Sequence, residues 1–111
     1  MLFYVYLIKT IKGFKNKSYV GFTNNIKNRL AKHNENKGAK ATKGYKWELV
    51  YKKGFKNKSS ALSYEYKLKN DRIRRLSLIS TYEKKKILKL LQFYHIKKII
   101  LLQKPLQLLY G

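Results

Sequence analysis

Only five side chains in this 111-residue sequence are carboxylates, Glu35, Glu48, Glu65, Asp71 and Glu83, and their scarcity limits the chemistry available. Sites that act on phosphodiesters usually gather two or more carboxylates around paired metal ions. Here Glu35 falls at a helix end, Glu48 in a strand, Glu83 in a capping position and Asp71 in a basic turn beside Arg72, so no D-x-D or clustered acidic pattern exists. A two-metal site is therefore not expected. Two histidines without any cysteine fall short of a zinc site, and there is no G-x-S-x-G elbow or glycine-rich phosphate loop. What remains is one carboxylate, one or more phenols and an arginine in a strongly positive field. Such a set works if the lone carboxylate holds one metal ion while water and a substrate phosphate fill the other positions. A phenol of ordinary pKa, about 10, is a poor base at neutral pH unless its surroundings tune it.

The field itself comes from 27 Lys plus Arg against 5 Asp plus Glu, a formal net charge of +22. A polyanion is the default partner of such a surface, through release of counterions from phosphates. Only four of the cations are arginines (29, 72, 74 and 75), and Asn, Ile and Tyr are frequent, as in proteins of AT-rich genomes. Codon drift explains abundant lysine but not scarce carboxylates, so nucleic acid is favoured over a merely solvated surface. The basic residues are scattered rather than ranged along one amphipathic helix, which argues against a membrane-surface protein. No run approaches the roughly 20 apolar residues of a membrane span. The N-terminal Met1–Val5 lacks a signal-peptide pattern and cysteine is absent, so a soluble protein of cytoplasm or nucleus is expected.

The elements that must position the chemistry are short. Phe3–Ile8 and Ser18–Phe22, rich in aromatic and β-branched residues, read as a hairpin joined by a loop with Gly13 and Asn16 at its turns. Asn24 or Asn25 caps a helix with Ile26, Leu30 and Ala31 on one stripe, ending near 36–38. Arg29 and His33, four apart, share a face of it. A basic loop leads to a third strand, Trp47–Tyr51, with Trp47, Leu49 and Tyr51 alternating. Ser59 or Ser60 caps a second helix to about Asn70, with Ala61, Leu62 and Leu68 inward and Glu65 in its middle. Ser80-Thr81-Tyr82-Glu83 reads as a capping box for a third helix, and Leu106–Leu109 as a short strand or extended arm. The expectation is an α+β domain with a three-stranded antiparallel sheet flanked by helices, a core over 1–80 and a helical extension over 81–111 packed on it.

Several spacings in the sequence resemble the GIY-YIG nuclease family. That family has a tyrosine on its first strand, a second strand ending Tyr-Ile/Val-Gly, an arginine ten residues after that second tyrosine, His or Tyr four further on, and a later helical glutamate. The matching residues are Tyr6 within Tyr4-Val5-Tyr6, Tyr19-Val20-Gly21, Arg29, His33 and Glu65. The first motif departs from the family name, with Tyr4 where Gly stands and Val5 where Ile stands. Asn70 is a weak counterpart of the asparagine that homing members carry. Singly, each residue has a bland reading: a strand tyrosine packs, a helix arginine is solvated, and Glu65 pairs with Lys69 at i+4. Their joint register is what favours a site.

The segments Ser18–Asn25, His33-Asn34, Gly38–Lys43, Trp47-Glu48 and Gly54-Phe55 through Ser60–Glu65 further resemble the Slx-type catalytic subunit of structure-specific endonucleases. Small single-domain bacterial GIY-YIG proteins of uncharacterised type are the competing subfamily. The resemblance implies a DNA endonuclease, selective for branched DNA and serving repair or recombination. Catalysis would fall to Tyr6, Tyr19, Arg29, His33 and Glu65, with one Mg²⁺ or Mn²⁺ per site on Glu65 and either tyrosine as the base. Phosphate contacts are assigned to Lys40, Lys43, Lys46, Arg72, Arg74 and Arg75. The Slx-type proteins continue into a cysteine-rich RING module that binds their scaffold, and a cysteine-free chain has none, so that partner is not expected. Paired incisions would need a homodimer. The alternatives are a homing-type enzyme and a non-catalytic DNA-binding domain.

Overall fold

The hydrophobic pattern of the first strand decides the layering. In Phe3–Thr10 the residues Phe3, Val5 and Leu7 alternate with Tyr6 and Ile8, and both sets are apolar enough to be covered. A strand apolar on both sides belongs in the middle of a sheet with cover on each face. In the computed structural model, which describes residues 1–110, with side chains as far as Leu102, that strand is the centre of a three-stranded antiparallel sheet of order β2-β1-β3. The strands are β1 (Phe3–Thr10), β2 (Ser18–Thr23) and β3 (Trp47–Phe55), and the helices α1 (Ile26–Asn34), α2 (Lys58–Lys69) and α3 (Arg72–Tyr110). The expected α+β class, sheet and flanking helices are all present. The chain divides into two compact units, 1–79 and 80–111. Leu106–Leu109, expected as a strand or extended arm, is instead helical and continues α3. No helix among the described residues is long and apolar enough to cross a membrane.

On one face, Val5, Leu7 and Val20 bury against Ala61 and Leu68 of α2, with Leu78 and Ile79 of α3 at the margin. On the other, Tyr6, Ile8 and Trp47 are covered by Ile26 and Leu30 of α1. The register between β1 and β3 shifts between Leu7 and Ile8, which oppose Tyr51 and Leu49 and leave Val50 as the extra residue of a bulge. A bulge reverses which side the following residues face. Trp47 and Leu49 therefore lie under α1, whereas Tyr51 crosses to the α2 face, and the simple alternation expected through Tyr51 breaks there.

Helix starts follow asparagines. Asn25 caps α1 by accepting from Asn28 N at 3.1 Å, one of the two residues expected. For α2 the cap is Asn57, accepting from Ser60 N at 2.8 Å, and not Ser59 or Ser60. The inward stripe of α1 runs Ile26, Leu30, His33, with Ala31 exposed, and on α2 Leu62 is likewise exposed. The box at Ser80–Glu83 opens no helix, because Asp71 Oδ1 already accepts from Arg74 N at 2.9 Å and α3 begins at Arg72. Exchange of Asn57 for Ala should lower stability by about 1 kcal/mol, as loss of an N-cap does, while Ser59→Ala should be near neutral. Thermal denaturation of the two variants checks this, and the reverse order would return the cap to the serine.

Candidate active site

Tyr6 owes its place to a missing side chain. It sits opposite Gly21 across the β1–β2 ladder, and a Cβ on Gly21 would overlap the Tyr6 phenol oxygen and its ring carbon. The glycine thus lets a large ring lie flat over the neighbouring strand. Tyr19, two pairs along and opposite Ile8, stands at 6.4 Å from Tyr6 between ring centroids, and its ring meets His33 edge-on at 5.2 Å. From α1, His33 is fully buried and its Nε2 lies 2.7 Å from the Tyr6 hydroxyl. One turn earlier, Arg29 donates from Nε to the same hydroxyl at 3.4 Å. The helical spacing of four that placed Arg29 and His33 on one face brings both to a single phenol.

The loop after α1 completes the enclosure. Asn36, at φ 62°, ends the helix turn, and Gly38 packs so closely on the His33 ring that a Cβ there would collide with Nδ1. A single 3₁₀ turn, Lys40–Thr42, then brings the buried Thr42 hydroxyl within 2.8 Å of His33 Nδ1. The loop is anchored at β3, where the Asn34 side chain accepts from Trp47 N at 2.7 Å and donates to Trp47 O at 3.2 Å. Trp47 Nε1 also donates to Thr42 O at 3.0 Å.

Burial governs the protonation of this cluster. Desolvation pushes the Tyr6 phenol up to about 12, against the opposing pull of the Arg29 hydrogen bond. Desolvation, and secondarily the Arg29 charge, lowers His33 to about 4. Arg29 is held still more firmly protonated by its bond to Tyr6. At neutral pH the site is therefore a neutral phenol, a neutral imidazole and a guanidinium.

Glu65 lies on α2, one turn beyond the buried Ala61, with its side chain 17% exposed and its Oε1 3.1 Å from Lys69 Nζ. The i+4 pair read from the sequence is thus formed. The Glu65 charge also reaches Tyr6, contributing to its raised pKa. Among the described residues no three His, Cys, Asp or Glu side chains group as a multidentate metal site. A single, mostly sheltered carboxylate suits a hard cation that keeps most of its water and takes a phosphate, and does not suit zinc.

The assigned cations differ in what the fold asks of them. Lys40 and Lys43 are exposed and flank Thr42, and Arg72 is exposed at the start of α3. Lys46 Nζ donates to Asn34 O. Arg75 donates to Leu68 O at 2.9 Å and to Lys69 O, satisfying carbonyls that end α2, and Arg74 acts electrostatically on Tyr64. Thr42 and Gly38 lie within the Gly38–Lys43 segment, where sequence alone assigns them no chemical role, because a loop threonine carries no periodic signal. Their function becomes visible only when the loop folds back on His33.

Residues 2–77 match the GIY-YIG catalytic domain, and the chain belongs to the GIY-YIG family. Its relatives include a UPF0213 protein of Oceanobacillus iheyensis, 45% identical over 67 residues (59% of this chain, 78% of that one). Another, from Staphylococcus saprophyticus, is 40% identical over 79 residues, covering 69% and 93%. A solution NMR structure of a UPF0213 protein from Bacillus halodurans is 33% identical, covers 73% of this chain and 85% of its own, and gives a TM-score of 0.41. The curated relatives carry the UPF0213 name, and the Slx-type assignment is not supported. The catalytic domain points to nuclease chemistry and to DNA as its substrate.

Stability should report the neutral imidazole. With a folded pKa near 4 against 6.5 for the free side chain, His33 takes up a proton on unfolding between those values. Its contribution is complete above about pH 6.5 and is lost as pH falls through about 4. Melting temperature should therefore drop between pH 7 and 4.5, and the drop should be shallower in His33→Gln. Parallel pH curves for the two proteins would show that His33 is not held neutral.

Proposed function

We propose that this chain is a metal-dependent endonuclease that hydrolyses phosphodiester bonds in DNA and selects branched over linear duplex. The observation that carries the reading is the convergence of Arg29 and His33 on the hydroxyl of Tyr6. A pure DNA binder has no use for a desolvated phenol joined to a neutral imidazole. In this reading the Arg29 guanidinium meets the non-bridging phosphate oxygens, a task suited to a planar fork. Tyr6 or Tyr19 orients the attacking water, and His33 holds the phenol. Glu65 would hold one Mg²⁺ or Mn²⁺, which would supply charge neutralisation at the scissile phosphate and the leaving 3′ oxygen.

Lys40 and Lys43 extend the positive surface beside the site and meet phosphates. Such contacts position DNA but carry no base sequence, so substrate choice falls to shape and deformability. A role in DNA repair or recombination follows if branched DNA is the substrate. A panel of 5′ flaps, 3′ flaps, forks, four-way junctions and linear duplex tests the assignment, with branched forms expected to be cut first. Strong cutting at one defined site in plain duplex would mark a homing-type enzyme instead.

Glu65→Gln should reduce Mg²⁺-dependent nicking of supercoiled plasmid by at least about a hundredfold, the scale of losing a principal electrostatic stabiliser. DNA binding should persist or tighten, since a negative charge leaves a positive surface. Near-full nicking by that variant would move the metal to another carboxylate. Arg29→Lys keeps the charge but loses the fork and the Nε bond to Tyr6, so affinity should survive while most turnover is lost. In a separate measurement, Lys40→Ala with Lys43→Ala should weaken binding to all DNAs alike. Its salt dependence should flatten by about one unit per lost phosphate contact, and an unchanged slope would take the loop off the DNA path.

A further inference from the structure

The hydrogens in the buried chain from Ala39 to Tyr6 have one consistent arrangement. The Thr42 Oγ1 lies 2.8 Å from Ala39 O, and two oxygens so close need a proton between them. A carbonyl has none to give, so the Thr42 hydroxyl proton is committed to Ala39 O. The 2.8 Å contact from His33 Nδ1 to Thr42 Oγ1 must then be an Nδ1–H donating to the threonine. A neutral imidazole has one N–H, which leaves Nε2 bare, and at 2.7 Å it accepts the Tyr6 phenol proton. The Tyr6 oxygen accepts from Arg29 Nε and keeps acceptor capacity for one more donor. Tyr19 has no comparable bond to His33, only an edge contact of the rings.

We infer that Thr42 is a positioning residue that locks His33 in its Nδ1–H tautomer, so that Tyr6 rather than Tyr19 takes the proton from the attacking water. The inference rests on the nuclease reading above and deepens it. In the hydrolytic step the water proton passes to the Tyr6 oxygen as the Tyr6 proton passes to His33 Nε2. The new hydroxide forms its bond to phosphorus while the bond from phosphorus to the 3′ oxygen breaks. The leaving oxygen is protonated from solvent, and His33 returns its extra proton to solvent through Tyr6. In the opposite tautomer Nε2–H would donate to Tyr6, and the phenol would point its own proton at the water and could not accept one. Thr42 therefore decides the direction of the relay without touching the DNA. Gly38 supports it by letting the loop close on the imidazole.

The test is long-range ¹H–¹⁵N NMR of the histidine rings in the full chain at neutral pH, with His95→Gln used to assign the two histidines. Wild-type His33 is expected as the Nδ1–H form, and Thr42→Ser, which keeps the hydroxyl, should read the same and cleave at close to the wild-type rate. Thr42→Val should shift His33 toward Nε2–H and lower kcat by at least about tenfold with KM little changed, the scale of a lost orienting partner. A wild-type His33 read as Nε2–H overturns the inference, whatever the variants do. So does a Thr42→Val protein that cleaves at the wild-type rate. Because the tautomer is read without substrate, an Nδ1–H signal in a protein that cuts no DNA would fault the nuclease reading and leave the hydrogen-bond assignment standing.

Discussion

A phenol and an imidazole 2.7 Å apart and largely shielded from solvent have to share one proton between two neutral groups, and much of the domain is arranged around that requirement. Charging either group there is costly, which is why burial drives the phenol pKa up and the imidazole pKa down. Buried polar groups are tolerated when each has a partner, and here each does: Tyr6 on His33, His33 on Thr42, Thr42 on the carbonyl of Ala39. Arg29, at the rim, is the one cation admitted to the chain. Among the described residues it is the one permanent charge hydrogen-bonded to the Tyr6 hydroxyl, and its guanidinium also bonds Tyr19.

Two features of the backbone make that burial feasible. The central strand is covered on both faces, so Tyr6 lies under α1 while its neighbours Val5 and Leu7 anchor α2 on the opposite side. The bulge at Val50 lets β3 serve both layers, giving Trp47 and Leu49 to the site face and Tyr51 to the other. Glycines at 21 and 38 then remove the side chains that would hold the sheet and the loop away from the two rings. Glu65 stands apart from this hydrogen-bonded set on its own helix, where it makes an ion pair with Lys69 and reaches Tyr6 through its field. In the proposed reading the labour divides accordingly, with proton handling on the α1 face and cation holding on α2.

The sequence was informative where a local period or a spacing carried the information. The three strands, the cap at Asn25 and the shared face of Arg29 and His33 could all be read from neighbours along the chain. The inward stripe of α1 takes His33 in place of the apolar Ala31, because polarity hides a buried position whose partners are distant in sequence. Asn57 does not stand out as a cap in the sequence, because Ser59 and Ser60 follow closely and either residue type can serve. The break at Val50 and the return of Thr42 to His33 are tertiary facts, set by register and loop closure, and no pattern within the loop announces them. The resemblance to the GIY-YIG family holds over residues 2–77, but the Slx-type assignment drawn from shared segments is not supported, since short shared segments do not separate close branches of one fold.

The proposed chemistry passes through the Tyr6 hydroxyl, and Tyr6→Phe removes that atom while keeping the ring against Gly21 and Tyr19. Cleavage and binding of one DNA substrate by this variant, beside Tyr19→Phe and wild type, is the most direct measurement. The account predicts that Tyr6→Phe binds DNA as wild type does and cuts it at least about a hundredfold more slowly, the lower range of what a proton-transfer group contributes, and that Tyr19→Phe is less impaired. Cleavage by Tyr6→Phe within a few-fold of wild type, with Tyr19→Phe inactive, would contradict it.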